Sequence, residues 1–379
     1  MNSLEAKSDQ PPKQWHARPE NLLLYDLSRQ EMSGAYRDKV RRLCESQDLD
    51  WELIYSSAQN IRPLIAQNLT QCGGGINGMP QSIKGAFVLA AMQNAVFVER
   101  QQTEFLQVAR FFQDHGMDVM PVKGMALDLT VYREPWYTQS GDVDVLLRYS
   151  RSGSSKIDLA EVHAFFLGIK GCFECEIRHH DLNIVAVLPV DFDLIWRDAS
   201  PLVFRGARIF LACPEDQLLL TSLNCFRKGI FSLRRMCDVA EIINTVSNIR
   251  WNFVAERARR FKCAGVLYAV LFSICHTVGT CREIPLEALA VTPARAALIR
   301  ALSKGLAEVS VCLNRDWRSK FKRHAFRILL WLACFPFSLY PKCIRYMLTW
   351  YIARSPKAWI DPQFDVPTVR SSSSVCRFQ

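Results

Sequence analysis

The sequence has no apolar run long enough to cross a bilayer. The longest, Ile328 to Tyr340, falls short of the ~20 residues a span needs and is broken by Pro336. It also has no apolar signal-type core near its start. Met1 to Glu20 is polar and contains Pro11, Pro12 and Pro19, so the expected location is cytoplasmic. The 14 cysteines lack regular spacing in a chain of 379 residues. That excludes a small disulfide scaffold and predicts reduced, mostly buried thiols. Cys172 and Cys175 have CxxC spacing, with His179 and His180 close behind. Without a second CxxC, two ordinary cysteines at a helix–strand boundary and a structural or surface histidine pair are favoured over a zinc site. The glycine-rich stretch Gly73-Gly74-Gly75-Ile76-Asn77-Gly78 lacks the Lys-Ser/Thr of a phosphate-binding P-loop and predicts a connector.

Acidic residues are nearly missing from one segment. Between Arg315 and Lys357, ten Lys and Arg stand against Asp316 alone, so this segment carries +9 of the formal +10. The rest of the chain is near neutral, and net charge does not mark the whole protein as a nucleic-acid binder. Aromatic residues such as Trp317, Trp331, Phe335 and Trp350 interleave with the charge. Such a segment fits three roles. A helical hairpin packed on the neighbouring domain comes first. A peripheral element on anionic lipid comes second, and a nucleic-acid grip third. The aliphatic run Ile328 to Leu332 suits packing or lipid better than a stacking groove.

What is present divides the chain into six parts. A polar extension (1–19) precedes a helical region (20–115), in which Phe87, Ala91, Ala95, Val98, Phe105 and Phe112 mark one helical face. Residues 116–212 change character: strands are predicted at 118–123, 142–147, 175–180 and 182–196, with a short helix at 125–132 and another at 157–169. A helical domain (213–310) opens at Pro214-Glu215-Asp216, with proline and acids in the first turn. The basic aromatic helical segment (311–360) follows, and then a Ser-rich tail (361–379) expected to lack structure. Strands alternating with helices give an α+β fold: a small mixed β-sheet core flanked by helical N- and C-terminal regions.

The strongest chemical signal is Gly141-Asp-Val-Asp-Val-Leu-Leu147. Residues two apart on a strand share a face, so Asp142 and Asp144 project together while Val143, Val145 and Leu147 point into a core. Two adjacent carboxylates repel unless a cation sits between them, and such oxygen donors suit Mg²⁺ or Mn²⁺. Val190-Asp-Phe-Asp-Leu-Ile-Trp196 repeats the alternation and predicts Asp191 and Asp193 on one face of a second strand. An acidic alternate face is also what a solvated strand face looks like. Two such strands in one domain favour convergence into a metal site for phosphoryl transfer. Val122-Lys123-Gly124-Met125 ends a strand and opens a helix, where glycine lets phosphates approach the backbone and Lys123 adds a charge. Asp238, at the start of a helix-like segment, is expected to be a cap or core partner rather than a ligand.

Pro121-Val-Lys-Gly-Met-Ala-Leu-Asp-Leu-Thr-Val-Tyr132, followed by Gly141-Asp-x-Asp, resembles the uncharacterised nucleotidyltransferase family of the polymerase-β-like nucleotidyltransferase superfamily. The likeness extends over roughly residues 87–279, with Asp193 and Trp196 at the place of the family's later acidic residue and tryptophan. Three positions depart from the pattern. Lys123-Gly124 stands for the superfamily's Gly-Ser, Thr138-Gln139-Ser140 holds no arginine before Gly141, and Ile195 replaces a histidine. The resemblance implies a Mg²⁺-dependent (or Mn²⁺-dependent) enzyme that moves a nucleotidyl group from an NTP to an acceptor. Asp142, Asp144 and Asp193 would hold metal, and Lys123, Gly124 and Gly141 would bind nucleotide. The acceptor would be a small molecule, peptide, protein or RNA, with tailoring in a biosynthetic cluster as one setting. The alternative is a weakly active or inactive relative that serves as a binding or membrane-surface adaptor.

Overall fold

The computed structural model describes residues 18–46, 48–72, 78–150, 161–162, 164–165, 174–178, 188–230, 232–310, 317–342, 368–371 and 374–378. Most of the Gly73–Gly78 loop, Cys172, His179 and His180 lie outside these residues, as does most of the expected helix at 157–169. Its described residues, 161–162 and 164–165, are helical.

Four helices open the fold: α1 (Pro19–Asp26), α2 (Gly34–Ser46), α3 (Trp51–Ala58) and α4 (Arg62–Gln71). Of these, α3 and α4 pack against α5 (Gln81–Asp114), which runs for 34 residues. Phe87, Val98, Phe105 and Phe112 are buried as the periodicity predicts, while Ala91 and Ala95 are only half-buried. The same face also buries two amides. Asn94 Nδ2 donates to the carbonyls of Trp136 (2.7 Å) and Thr138 (3.0 Å), and Gln101 Nε2 donates to that of Ser140 (3.2 Å). Those bonds hold the loop that leads into Asp142, because a buried carbonyl left unpaired would be costly.

After α5 come β1 (Met117–Val122), α6 (Gly124–Thr130), β2 (Asp142–Tyr149) and β3 (Glu174–Arg178). β1 and β2 are antiparallel, with Val122 opposite Asp144. β2 and β3 are parallel, with Asp142 opposite Glu174 and Asp144 opposite Glu176. Next is α7 (Phe192–Arg197), then the hairpin of β4 (Ser200–Phe204) and β5 (Ala207–Leu211). Its two-residue turn, Arg205-Gly206, has φ of 46° and 84°, the positive values that suit the twist of a tight hairpin. Val143, Val145 and Leu147 pack with Phe105, Val108 and Phe112 of α5. Leu146, on the other face of β2, joins the larger core.

The helical domain contains α8 (Pro214–Lys228), α9 (Leu233–Thr245), α10 (Trp251–Arg260), α11 (Ala264–Cys275) and α12 (Pro293–Ser310). The basic segment contributes α13 (Trp317–Cys334), whose Leu330, Trp331 and Cys334 are buried. Trp331 lies 5.4 Å from Phe226, ring centre to ring centre. A Cβ on Gly265 would sit 2.5 Å from the Cys334 carbonyl oxygen, and one on Gly305 2.5 Å from the Phe326 ring. Helix α13 is therefore seated in the domain through Leu330, Trp331 and Cys334; residues 343–357 of the expected hairpin lie outside the described residues. No helix among the described residues is long and apolar enough to cross a membrane.

Two expectations are corrected. The tail contains β6 (Thr368–Ser371) and β7 (Ser374–Phe378), paired with each other. β7 also lies parallel to β3, giving a mixed five-stranded sheet of order β1-β2-β3-β7-β6. Ser-rich composition hid a segment whose backbone bonds are satisfied by the sheet. Residues 192–196, expected as part of a strand, lie in α7. The Asp191 side chain accepts from the Leu194 N–H (3.3 Å), and Asp193 lies in the first turn, where negative charge is favourable.

Candidate active site

The site sits where β1 hands over to α6, beside the start of β2. The chain turns sharply at Lys123, with φ 57° and ψ −130°. This is a region L-residues seldom adopt, at an expected cost of about 1–3 kcal/mol. The turn lays the Lys123 side chain over the neighbouring strand, where Nζ is 2.7 Å from Oδ1 of Asp144. Asp144 is 3 % exposed and Lys123 12 %. A pair this buried owes its persistence to mutual neutralisation, since either charge alone would be strongly destabilising. Lys123, expected on a triphosphate, is here the partner of the second aspartate.

Asp142 is half-buried on the same side of β2 as Asp144. Its backbone carbonyl accepts from Ser140 Oγ (3.0 Å), which also lies 3.4 Å from Asp142 Oδ1. Gly141 is exposed, and a Cβ there would meet nothing within 4 Å. Gly124 is the opposite case. A Cβ would sit 2.7 Å from Ser140 Oγ and 3.0 Å from Arg234 Nη2. The glycine is required because a hydroxyl and a guanidinium close on it, both of them hydrogen-bond donors.

Arg234 also belongs to the candidate site, though the sequence pattern does not mark it. It comes from the first turn of α9, and its guanidinium donates to the Gln139 carbonyl just before Gly141. Its Nε lies 3.5 Å from Asp238 Oδ2. Burial works against its charge, but Asp238, Asp128, Tyr132 and Asp142 outweigh this and hold it above its ordinary value. Burial also drives the Asp128 carboxyl well above the usual carboxylate range, with Arg234 opposing and Asp238 adding to the rise. Asp238 accepts from the Tyr132 hydroxyl (2.7 Å), the core-partner role expected of it. An arginine is thus present before Gly-Asp-x-Asp in space, though absent there in sequence. The one available signal was Arg234, four residues upstream of Asp238.

The second acidic pair is arranged differently. Asp191 caps α7 and accepts from Arg260 (3.0 Å), while Asp193 is exposed. The helix is anchored through Ile195 and Trp196, both buried. The Arg148 guanidinium stacks 4.4 Å above the Trp196 ring. Arg148 lies four residues beyond Asp144, roughly 13 Å along the strand, so α7 docks toward the far end of β2. Among the described residues, no three His, Cys, Asp or Glu side chains are grouped to hold a metal ion.

A separate cavity of about 740 Å³ opens at the other end of α6. Arg29, Tyr36, Val131, Tyr132, Glu241 and Thr245 line part of it, and none of the predicted site residues does. Burial pushes the Glu241 carboxyl up to about 7, against the Gln30 N–H and the charge of Arg29.

A mixed sheet with Lys-Gly at the end of one strand and Asp-x-Asp opening its neighbour defines a nucleotidyltransferase-type core. The profile of one such family, described as uncharacterised nucleotidyltransferase, matches residues 45–155 and 170–279, more than half of the chain. The protein belongs to that family. No curated protein and no solved structure matches it.

Proposed function

We propose that the protein transfers a nucleotidyl group from an NTP to an acceptor, using a divalent cation held by Asp142 and Asp144. The observation that carries this reading is the Lys123–Asp144 contact in a chain of this family. The Lys123 ammonium lies against the second carboxylate of Asp-x-Asp, which supports a site suited to positive charge. The donor set fits Mg²⁺ or Mn²⁺. Two carboxylates project from one face of β2, and Mg²⁺ commonly binds through one or two carboxylates with substrate phosphates and water completing its shell. A bound divalent ion would neutralise the triphosphate and acidify the attacking hydroxyl.

The chain's own residues supply the remaining functions. Asp142 and Asp144 fix the cation, and Lys123 contributes charge to the triphosphate. Ser140 and Arg234, closing on Gly124, hold the loop that presents Asp142. Asp193, exposed on α7, would act as a third carboxylate where α7 brought it to the substrate. The acceptor belongs to one of the classes named above.

Isothermal titration with Mg²⁺ and each of ATP, CTP, GTP and UTP tests the reading. One NTP should bind to the wild type and fail to bind to Asp142→Ala and Asp144→Ala. Absence of binding by all four would overturn it in favour of the adaptor alternative. Labelled NTP incubated with cell extract would then reveal the acceptor class through the labelled product.

A further inference from the structure

We propose that Lys123 is an exchangeable counter-ion: its ammonium holds the place of the divalent cation on Asp144 and leaves only when a nucleotide triphosphate arrives. Metal and nucleotide would therefore bind as a coupled pair, with little occupancy by free metal. The inference rests on the nucleotidyltransferase reading above and concerns how that site is loaded.

The argument begins with the 2.7 Å contact between Lys123 Nζ and Asp144 Oδ1, both side chains being largely buried. A free dication approaching Asp144 meets a carboxylate that is already neutralised. To bind, it must expel the ammonium and then tolerate it nearby, and like charges in a poorly solvated site repel. The described residues offer the dication no compensating group of three ligands. A triphosphate changes both terms. Its oxygens complete the coordination shell of the cation, and its negative charge gives Lys123 a new partner.

The backbone supports exchange over a fixed structural bridge. Lys123 holds φ 57°, and the next residue is a glycine enclosed by Ser140 and Arg234. The side chain is thus fixed at its root at the edge of the site, while its four-carbon stem can swing between two anions. Val122 pairs opposite Asp144, so the swing starts from directly beside the carboxylate. By linkage, a nucleotide that raises affinity for metal has its own affinity raised by the same factor.

The test uses the full chain, Mn²⁺ as the metal probe and α,β-methylene NTP analogues, which cannot be turned over. Mn²⁺ binding is read from the loss of the free-ion paramagnetic resonance signal beyond that caused by the analogue alone in protein-free solution, and analogue binding by calorimetry. In the wild type, Mn²⁺ should bind at least tenfold more tightly with analogue than without. Lys123→Gly removes the ammonium and permits the same backbone angle. It should bind Mn²⁺ alone at least tenfold more tightly than wild type and lose most of the coupling, and Lys123→Arg should restore the coupling. If wild type binds Mn²⁺ with analogue but Lys123→Gly gains no affinity for Mn²⁺ alone, the exchange is wrong and the nucleotidyltransferase reading stands. If no analogue binds with or without Mn²⁺, that reading fails and the exchange with it. Should Lys123→Gly not fold, the wild type decides: equal Mn²⁺ affinity with and without analogue overturns the proposal.

Discussion

Gly141-Asp-Val-Asp-Val and Val190-Asp-Phe-Asp-Leu share an alternating acidic pattern, yet they fold differently. In the first, the aspartates lie on one face of β2, and the residues between them enter the core against α5. In the second, Asp191 caps a helix, Asp193 is exposed, and Phe192, Leu194, Ile195 and Trp196 around it are buried. The difference lies in what surrounds each pattern. β2 has neighbours on both edges whose ladders consume its backbone bonds. Residues 192–197 have an aspartate placed to cap a helix and large apolar residues on consecutive positions, which a strand would send to opposite faces. Spacing two apart brings carboxylates together only where a strand exists.

Four substitutions can break or sharpen this contrast. Asp144→Asn should have the largest effect. It should weaken metal–NTP binding by at least 100-fold in calorimetry. It should also cost about 3 kcal/mol of stability in denaturant titration, because Lys123 loses its buried partner. Asp142→Asn should weaken NTP binding by about tenfold with little loss of stability, as Asp142 is half-buried and has no comparable ion pair with Lys123. Asp191→Ala should lower stability by about 1 kcal/mol through the lost cap and leave NTP binding unchanged. Asp193→Asn should change NTP binding by less than threefold. A loss as large as that of Asp144→Asn would show that α7 moves Asp193 into the site and that the two acidic segments converge after all.

Much of the fold was legible. The β1–Lys123-Gly124–α6 turn and β2 both follow from alternation and from glycine placement, and α8 begins at its proline and acids. Asp142 and Asp144 share a strand face as the spacing requires. What was hidden depended on tertiary partners. Arg234 is separated from Gly124 by more than a hundred residues and reaches it only because the fold brings the first turn of α9 to the start of α6. β7 is read as tail by composition, and it becomes a strand through its pairing with β6 and with the edge of β3. The basic segment shows the reverse: its charge drew attention, but Trp331 and Cys334 determine where α13 sits.

The cavity at the far end of α6 has a consequence for how the molecule answers to acidity. Glu241 keeps its proton up to about pH 7 when folded, against an ordinary value of 4.5. Between those values the native chain binds a proton that the unfolded chain has released. Folding stability contributed through this group is therefore present in mild acid and declines as pH rises toward neutrality. Denaturation midpoints taken at pH 5 and pH 8 should differ in that direction, and Glu241→Gln should flatten the difference. The protein carries, well apart from its paired aspartates, a carboxyl group that titrates near neutral pH.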